Sequence, residues 1–381
     1  LAEAGRSPPH AARPRQSYNV ARLGGRMAEV RGEVDVATPI EGHEALPLER
    51  VLPWLAEALG RPIGEVSVGR YGRGWSNLTF GLVVDGEELV LRRAPPGVQI
   101  AGAHDMVREA RILQGVRRSW GRVPEVIGVC EDPAVLGGGF YVMRRVAGVI
   151  LRERLPPGFV ADEATMRRAS LALVDAFVEL HGVDLAPLAG IGRPEGYIRR
   201  QVEGWTRRWL GAKTDEVPDV ERLAGALASS LPEEIAPVLL HNDYKYDNVV
   251  LDADDPGEVR AVLDWEMAAV GDPRMDLGTL LAWWVEASDP PALQALRLGP
   301  THLPGNLTRA EVVDRYAAGR GLHGLDARWF HAFGLFKNAV VAQQLYARYV
   351  KGYTTEPRYA RMLDAVRGLA AGALGVLGAP E

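Results

Sequence analysis

The sequence predicts an α+β fold in two unequal lobes, a small β-rich lobe over residues 46–145 and a larger, mostly helical lobe over 146–381. Three observations predict it. Between Val66 and Arg144, short segments of strand-like alternation surround one amphipathic helix. Beyond Gly148 the apolar spacing is helical almost throughout, and that helical part is interrupted once, by a strand-like island dense in polar residues.

The elements follow in order. Val51, Leu52, Leu55 and Leu59 recur at helical spacing before Gly60. Strands are expected at 66–71, 78–84 and 88–92, and Asp85-Gly86 between the last two is a hairpin signal, because a tight two-residue turn needs φ > 0 at both positions. After a Pro/Gly break, residues 104–118 set Met106, Ala110 and Leu113 on one helical stripe, and 125–130 and 140–144 read as two more strands. Helices are then expected over 165–181, 196–211, 220–230, 277–286, 308–318, 327–352 and 356–377, with Thr308 and Glu311 forming a capping box. The polar island spans 238–251 and 259–263.

Composition narrows the function classes. A chain of 381 residues has room for two or three folding units, at roughly 100–200 residues each. Its 47% hydrophobic and 24% charged residues match a water-exposed globular protein, and no run of about 18 apolar residues marks a membrane span. The net charge of −5 gives no overall attraction to nucleic acid, so any anion site must be local. Cys130 is the only cysteine, which leaves no intramolecular disulfide or cysteine-based zinc cluster and favours a reducing, cytoplasmic setting. Residues 1–26 hold five Arg, three Pro and one acid, and 1–45 is read as a disordered extension. The start is also similar to an organellar transit peptide, without the amphipathic run one would need.

Chemistry concentrates in the island. It contains His241-Asn242-Asp243-Tyr244-Lys245-Tyr246-Asp247-Asn248, and sixteen residues past the asparagine comes Leu263-Asp264-Trp265-Glu266. Here one carboxylate precedes an amide by five residues and a second ends the next strand. One acid can accept a proton from a hydroxyl, while an amide oxygen and a carboxylate are hard ligands suited to Mg²⁺. Such a set fits phosphoryl transfer, where positioning and charge neutralisation carry most of the catalysis.

This constellation resembles the protein-kinase-like fold as used by the aminoglycoside phosphotransferase and choline kinase superfamily. His241, Asp243 and Asn248 match H-x-D-x-x-x-x-N, and Leu263 through Leu277 match the later L-D-W-E-x-x-x-x-G-D-P-x-x-D-L. The resemblance implies Asp243 as catalytic base, oriented by His241, with Asn248 and Asp264 as Mg²⁺ ligands and Asp276 bracing the loop. It implies that Lys245 neutralises charge on the transferring group. In the small lobe, Gly72, Gly74, Ser76 and Asn77 stand where a glycine-rich hairpin covers nucleotide phosphates, and Arg92 stands for the phosphate-binding lysine, facing Glu109 on the helix. Alternation puts Arg92, rather than Arg93, on the face of Val90. The strand containing Met143 leads to the hinge expected to hold adenine. The chain is similar in particular to the phosphotransferases fused to or encoded beside acyl-CoA dehydrogenases, through Leu91–Gly97, His104–Glu109 and Phe140–Met143. Only sixteen residues separate Asn248 from Asp264, and no long segment follows, so a phosphorylated activation loop is not expected.

The expected activity is therefore transfer of the γ-phosphoryl of Mg²⁺-bound ATP, or GTP, to a hydroxyl of a small molecule. The alternatives are a nucleotide-binding pseudokinase, a metal-dependent phosphohydrolase using the same carboxylates, and an aminoglycoside or other antibiotic kinase. On the helix over 196–213, Trp205 and Trp209 share an apolar stripe, while Arg199, Arg200, Arg207, Arg208 and Lys213 face one acid, Glu203. If that face lines the acceptor cleft, it favours an anionic acceptor such as a hydroxyacyl-CoA over a polycationic aminoglycoside.

Overall fold

A computed structural model of the chain describes residues 46–71, 77–95 and 105–378, together with two short strands, β1 (Asn19–Val20) and β2 (Thr38–Pro39). The remainder of the 1–45 extension lies outside the described residues. Helix α1 (Leu48–Leu59) leads into β3 (Glu65–Arg70), β4 (Leu78–Val84) and β5 (Glu87–Arg93). Helix α2 (Met106–Arg117), β6 (Val126–Cys130), the single turn α3 (Pro133–Leu136) and β7 (Phe140–Arg144) complete the small lobe. The sheet order is β1-β3-β4-β5-β7-β6, with β2 beside β3. Asp85 and Gly86 turn the β4–β5 hairpin at φ 51° and 85°, and Asp105 caps α2 by accepting the Arg108 N–H at 2.9 Å.

Alternation on β5 separates two environments. Leu89 and Leu91 pack with Val51, Leu52 and Leu55 of α1. Val90 lies on the opposite face with Met106 and Ala110 of α2, and Arg92 shares that face. The chain then crosses to the large lobe, where Val149 exchanges two 2.8 Å backbone bonds with Leu251. Gly148, at φ 148°, permits the crossing, since a Cβ there would run into the Leu251 carbonyl.

The large lobe contains α4 (Glu163–Leu180), α5 (Tyr197–Ala212) and α6 (Pro218–Ser229). Next come β8 (Val238–Leu240), β9 (Val249–Leu251), β10 (Val259–Val262) and β11 (Ala269–Gly271), with β9 paired to β10 and β8 to β11. Helices α7 (Pro273–Trp283), α8 (Pro291–Gln294), α9 (Arg309–Arg320), α10 (Arg328–Val350) and α11 (Met362–Leu377) finish the fold. The capping box at Thr308 and Glu311 forms in both directions. The sequence does not predict α3, α8 or β11, nor β1 and β2, which pair with β3 from within the stretch read as a disordered extension, because two to four residues are too short to show a period. The helix expected from 356 begins at Met362, after a 3₁₀ segment (Pro357–Arg361) that Pro357 opens.

Two glycines set the spacing of α7 and α10. A Cβ on Gly278 would collide with the Phe330 carbonyl, and one on Gly334 with the Gly278 carbonyl. The helix backbones therefore touch, and the turn of α10 after Gly334 lies against the loop that follows β8. Among the described residues no helix is long and apolar enough to cross a membrane.

Candidate active site

The loop between β8 and β9 holds the motif residues, and buried Asp276 at the start of α7 shapes it. Its Oδ2 accepts the His241 N–H at 2.6 Å and its Oδ1 the Asn242 N–H at 2.7 Å. His181 Nε2 lies 3.2 Å from the same carboxylate, with Tyr316 Oη 2.6 Å from His181 Nδ1. Burial opposes ionisation of Asp276, but the hydrogen bonds it accepts from His181 and from the His241 N–H hold its pKa below the ordinary carboxylate value. His241 is fully buried, and burial lowers its pKa, so the ring is neutral at pH 7. Its Nδ1 accepts the Asp243 N–H at 3.2 Å, which leaves Nε2 to donate to the Leu263 carbonyl at 2.8 Å. A neutral histidine thus ties the loop to the strand carrying Asp264.

Asn242, at φ 63°, is one of three non-glycine residues with positive φ among the described residues, with Asp85 and Asp264. Each of its polar groups has a partner. Besides the N–H bound to Asp276, its Nδ2 donates to the Met267 carbonyl at 3.0 Å and its Oδ1 accepts from Tyr197 Oη at 3.2 Å. Its carbonyl accepts from Lys337 Nζ of α10. The unfavourable backbone is held from four directions.

Asp243 follows, facing the cleft. Lys245 Nζ and Asn248 Nδ2, the latter at 2.9 Å, both donate to its Oδ2. Oδ1 has no donor among the described residues. Because Asn248 spends its amide N–H on Asp243, its Oδ1 is left for a cation. Asp264, at φ 66°, accepts from Arg92 Nη2 at 3.0 Å through Oδ1, and Oδ2 carries no protein donor among the described residues. Burial pushes its carboxyl up, but Arg92 and Lys245 more than offset this and hold it below the ordinary carboxylate value. Two hard oxygens without protein donors on one wall fit Mg²⁺, which takes one or two protein ligands and completes its shell with water and phosphates. No cluster of three or more His, Cys, Asp or Glu is poised for a metal among the described residues.

From the small lobe, Arg92 Nη1 donates to Glu109 Oε1 at 2.5 Å, and the same oxygen accepts the Trp265 N–H at 3.2 Å. Burial holds the Glu109 pKa above the ordinary carboxylate value, against the lowering influence of the Arg92 guanidinium 2.5 Å away. Arg93 turns away, bonding the Ala94 carbonyl. Asn77 Nδ2 crosses the lobes to Glu266 Oε2 at 2.8 Å, and Arg108 donates to the Glu266 and Ala268 carbonyls. Met143, level with Val90 in the sheet, lines the cleft.

Asn77, Arg92, Met143, Asp243, Lys245, Asn248, Asp264, Glu266 and Lys337 border one cleft of about 2510 Å³, while His241, Asn242, Asp276, Glu109 and Arg108 lie behind its lining. Gly72, Gly74 and Ser76 lie outside the described residues. Trp205 and Trp209 are buried, as their stripe predicts. Of the basic face of α5, only Arg208 lines the cleft; Arg199, Arg200 and Arg207 are exposed elsewhere and Lys213 pairs with Glu216 and Glu221. The cleft is still basic, with thirteen Lys or Arg and six Asp or Glu along its lining, several of the cations coming from α10 and beyond. Sequence reasoning missed Lys337 and Arg108. The available signal for Lys337 was a lone cation inside the apolar run Phe333–Val341.

Residues 67–312 match the model of the phosphotransferase enzyme family. The chain is 31% identical over 320 residues to acyl-CoA dehydrogenase family member 10 of Mus musculus, covering 82% of this chain and 30% of that protein. It is 34% identical over 305 residues to family member 11 of Gallus gallus, covering 77% of this chain and 38% of that one. The chain thus spans about a third of the length of these curated relatives. A solved structure from Ralstonia eutropha, provisionally described as an aminoglycoside phosphotransferase, is 27% identical with a TM-score of 0.73, covering 88% of this chain and 99% of that one. A thermostable mutant of aminoglycoside phosphotransferase APH(4)-Ia, at 19% identity and a TM-score of 0.56 over 87% of this chain and all of that one, shares the fold. With the kinase-like architecture and the match to more than half its length, this chain belongs to the phosphotransferase enzyme family.

Proposed function

We propose that the protein transfers the γ-phosphoryl group of Mg²⁺-bound ATP or GTP to a hydroxyl of an anionic small molecule, with Asp243 as general base. The observation that carries this reading is the convergence of Asp243, Lys245, Asn248, Asp264 and Arg92 on one cleft. Asp243 offers Oδ1 to the acceptor hydroxyl while Lys245 and Asn248 hold Oδ2, so the carboxylate is oriented before substrate arrives. Asn248 and Asp264 would hold Mg²⁺, which supplies charge neutralisation on the phosphates. Arg92, anchored by Glu109, presents its remaining donors to phosphate oxygens, and Lys245 stands beside the departing proton as a fixed positive charge. A structural neighbour holds ADP and hygromycin B together in a ternary complex, which supports adjacent nucleotide and acceptor sites in this fold.

The excess of cations along the cleft supports an acceptor bearing phosphate or carboxylate and disfavours a polycationic antibiotic. The relatives named as acyl-CoA dehydrogenase family members support a hydroxyacyl-CoA. The test is nucleotide consumption against hydroxyacyl-CoAs, amino alcohols and aminoglycosides, followed by Asp243→Asn with the best acceptor. Turnover is expected to fall roughly 10²- to 10⁴-fold with nucleotide affinity unchanged. A well-folded Asp243→Asn protein with wild-type turnover would remove Asp243 as the base.

A further inference from the structure

Lys337 has no place in the motifs, yet its surroundings are those of a site residue. Its side chain is 5% exposed, lies on α10 and lines the cleft. No carboxylate lies within ion-pair distance among the described residues; the ammonium donates to the Asn242 carbonyl and sits 5.8 Å from the Trp205 ring centroid. Burying an ammonium without a counter-ion is costly, so the position demands a compensating role. The choice of residue is also unusual for this chain: only four of its 44 basic residues are lysines, and two of the four, Lys245 and Lys337, are buried at the catalytic loop. A compact ammonium fits where a planar guanidinium fork would not.

The bond falls on a decisive peptide. The Asn242 carbonyl belongs to the peptide whose N–H is that of Asp243, and that N–H is held by His241 Nδ1. Lys337 and His241 therefore grip the two ends of one peptide unit. The other three tethers of Asn242, to Asp276, Met267 and Tyr197, fix the residue before that unit. Without Lys337 the carbonyl is the one polar group of the left-handed residue left without a partner, and His241 alone holds the peptide unit. The Gly278–Gly334 contact brings α10 close enough for this grip, one turn before Lys337.

We propose that Lys337 is a positioning residue for phosphoryl transfer, fixing the Asn242–Asp243 peptide and with it the direction in which Asp243 meets the acceptor. The inference rests on Asp243 being the base. The full chain is compared with Lys337→Met, which deletes the donor and the charge, and Lys337→Gln, which keeps an N–H donor. Three measurements are made: melting temperature, hydrogen exchange of peptides covering 241–248, and turnover with nucleotide KM, using water as acceptor and any acceptor found above. Lys337→Met is expected to lower kcat by about 10- to 100-fold, the scale of a misplaced catalytic group. Nucleotide KM should stay within about twofold, melting temperature should be unchanged or higher because a buried charge is gone, and exchange should quicken only in 241–248. Lys337→Gln should recover part of the kcat and of the exchange protection. The proposal is overturned by unchanged exchange in 241–248, by a fall in melting temperature that tracks the activity, or by a raised KM with kcat intact. Asp243→Asn in the same assays separates the two ideas. If it is inactive while Lys337→Met is fully active, only the role of Lys337 fails; if it is fully active, the base assignment itself fails.

Discussion

On the small-lobe wall of the cleft, Arg92 meets Glu109 and Asp264 through the ends of charged side chains. On the large-lobe wall, loop 241–243 is fastened by its backbone to Asp276, His241 and Lys337. The two arrangements respond differently to an incoming polyanion. A guanidinium can exchange the Asp264 carboxylate for phosphate oxygens, charge for charge, so the first wall can rearrange at small cost. Backbone bonds buried at Asp276 have no substitute partner, so the second wall holds still. In the function proposed above, one wall receives and the other aims.

The sharpest way to break this contrast is to release the aiming wall. Asp276→Ala strands the N–H groups of His241 and Asn242 together with the His181 ring, and should lower unfolding free energy by about 3–5 kcal/mol. Urea denaturation measures it; a change below about 1 kcal/mol would mean that the loop is held elsewhere.

On the receiving wall, Asp264→Ala should leave the fold intact, since Arg92 keeps Glu109, and should remove the Mg²⁺-dependent part of nucleotide affinity. The loss should be at least the roughly 10- to 100-fold typical of perturbing a metal's surroundings. Calorimetric titration with and without Mg²⁺ decides it, and unchanged Mg²⁺-dependent affinity would remove Asp264 from the metal site.

The smallest effect concerns pH. Burial pushes the Lys337 ammonium down from 10.5 to about 8, against the raising influence of Asp243 and Asp276 and together with the lowering influence of Lys245 and Arg208. Between about 8 and 10.5 the unfolded chain therefore binds more protons than the folded one, and stability contributed through this residue rises with pH. From pH 7.5 to 9.5 the wild type should gain roughly 1–2 kcal/mol relative to Lys337→Met in urea unfolding. A constant difference between the two would contradict the buried, proton-shedding lysine.

The contrast also explains what the sequence could reveal. Asp243, Lys245 and Asn248 share one short loop and Asp264 ends the next strand, so they lie close along the sequence, and the resemblance assigns them to one site. Arg92 was legible because strand alternation assigns it a face, and a slip of one residue would have thrust it among Leu89, Leu91 and the leucines of α1. The aiming wall left no such trace. Lys337 lies 95 residues from Asn242 and reaches it only because Gly278 and Gly334 let two helix backbones touch. The basic face of α5 misled in the opposite sense: five cations on one helix suggested an acceptor wall, but their directions send one of them, Arg208, to the cleft.

Arg92 has a practical consequence for chemical labelling. Amine-reactive nucleotide analogues acylate a lysine beside the phosphates; at Arg92 they meet a guanidinium that stays protonated at any workable pH and does not react. The amines bordering this cleft are Lys245, Lys337 and Lys351. A reagent designed to report on phosphate binding would therefore mark the β8–β9 loop and α10 in this protein, and the modified lysine would record which wall the bound analogue had reached.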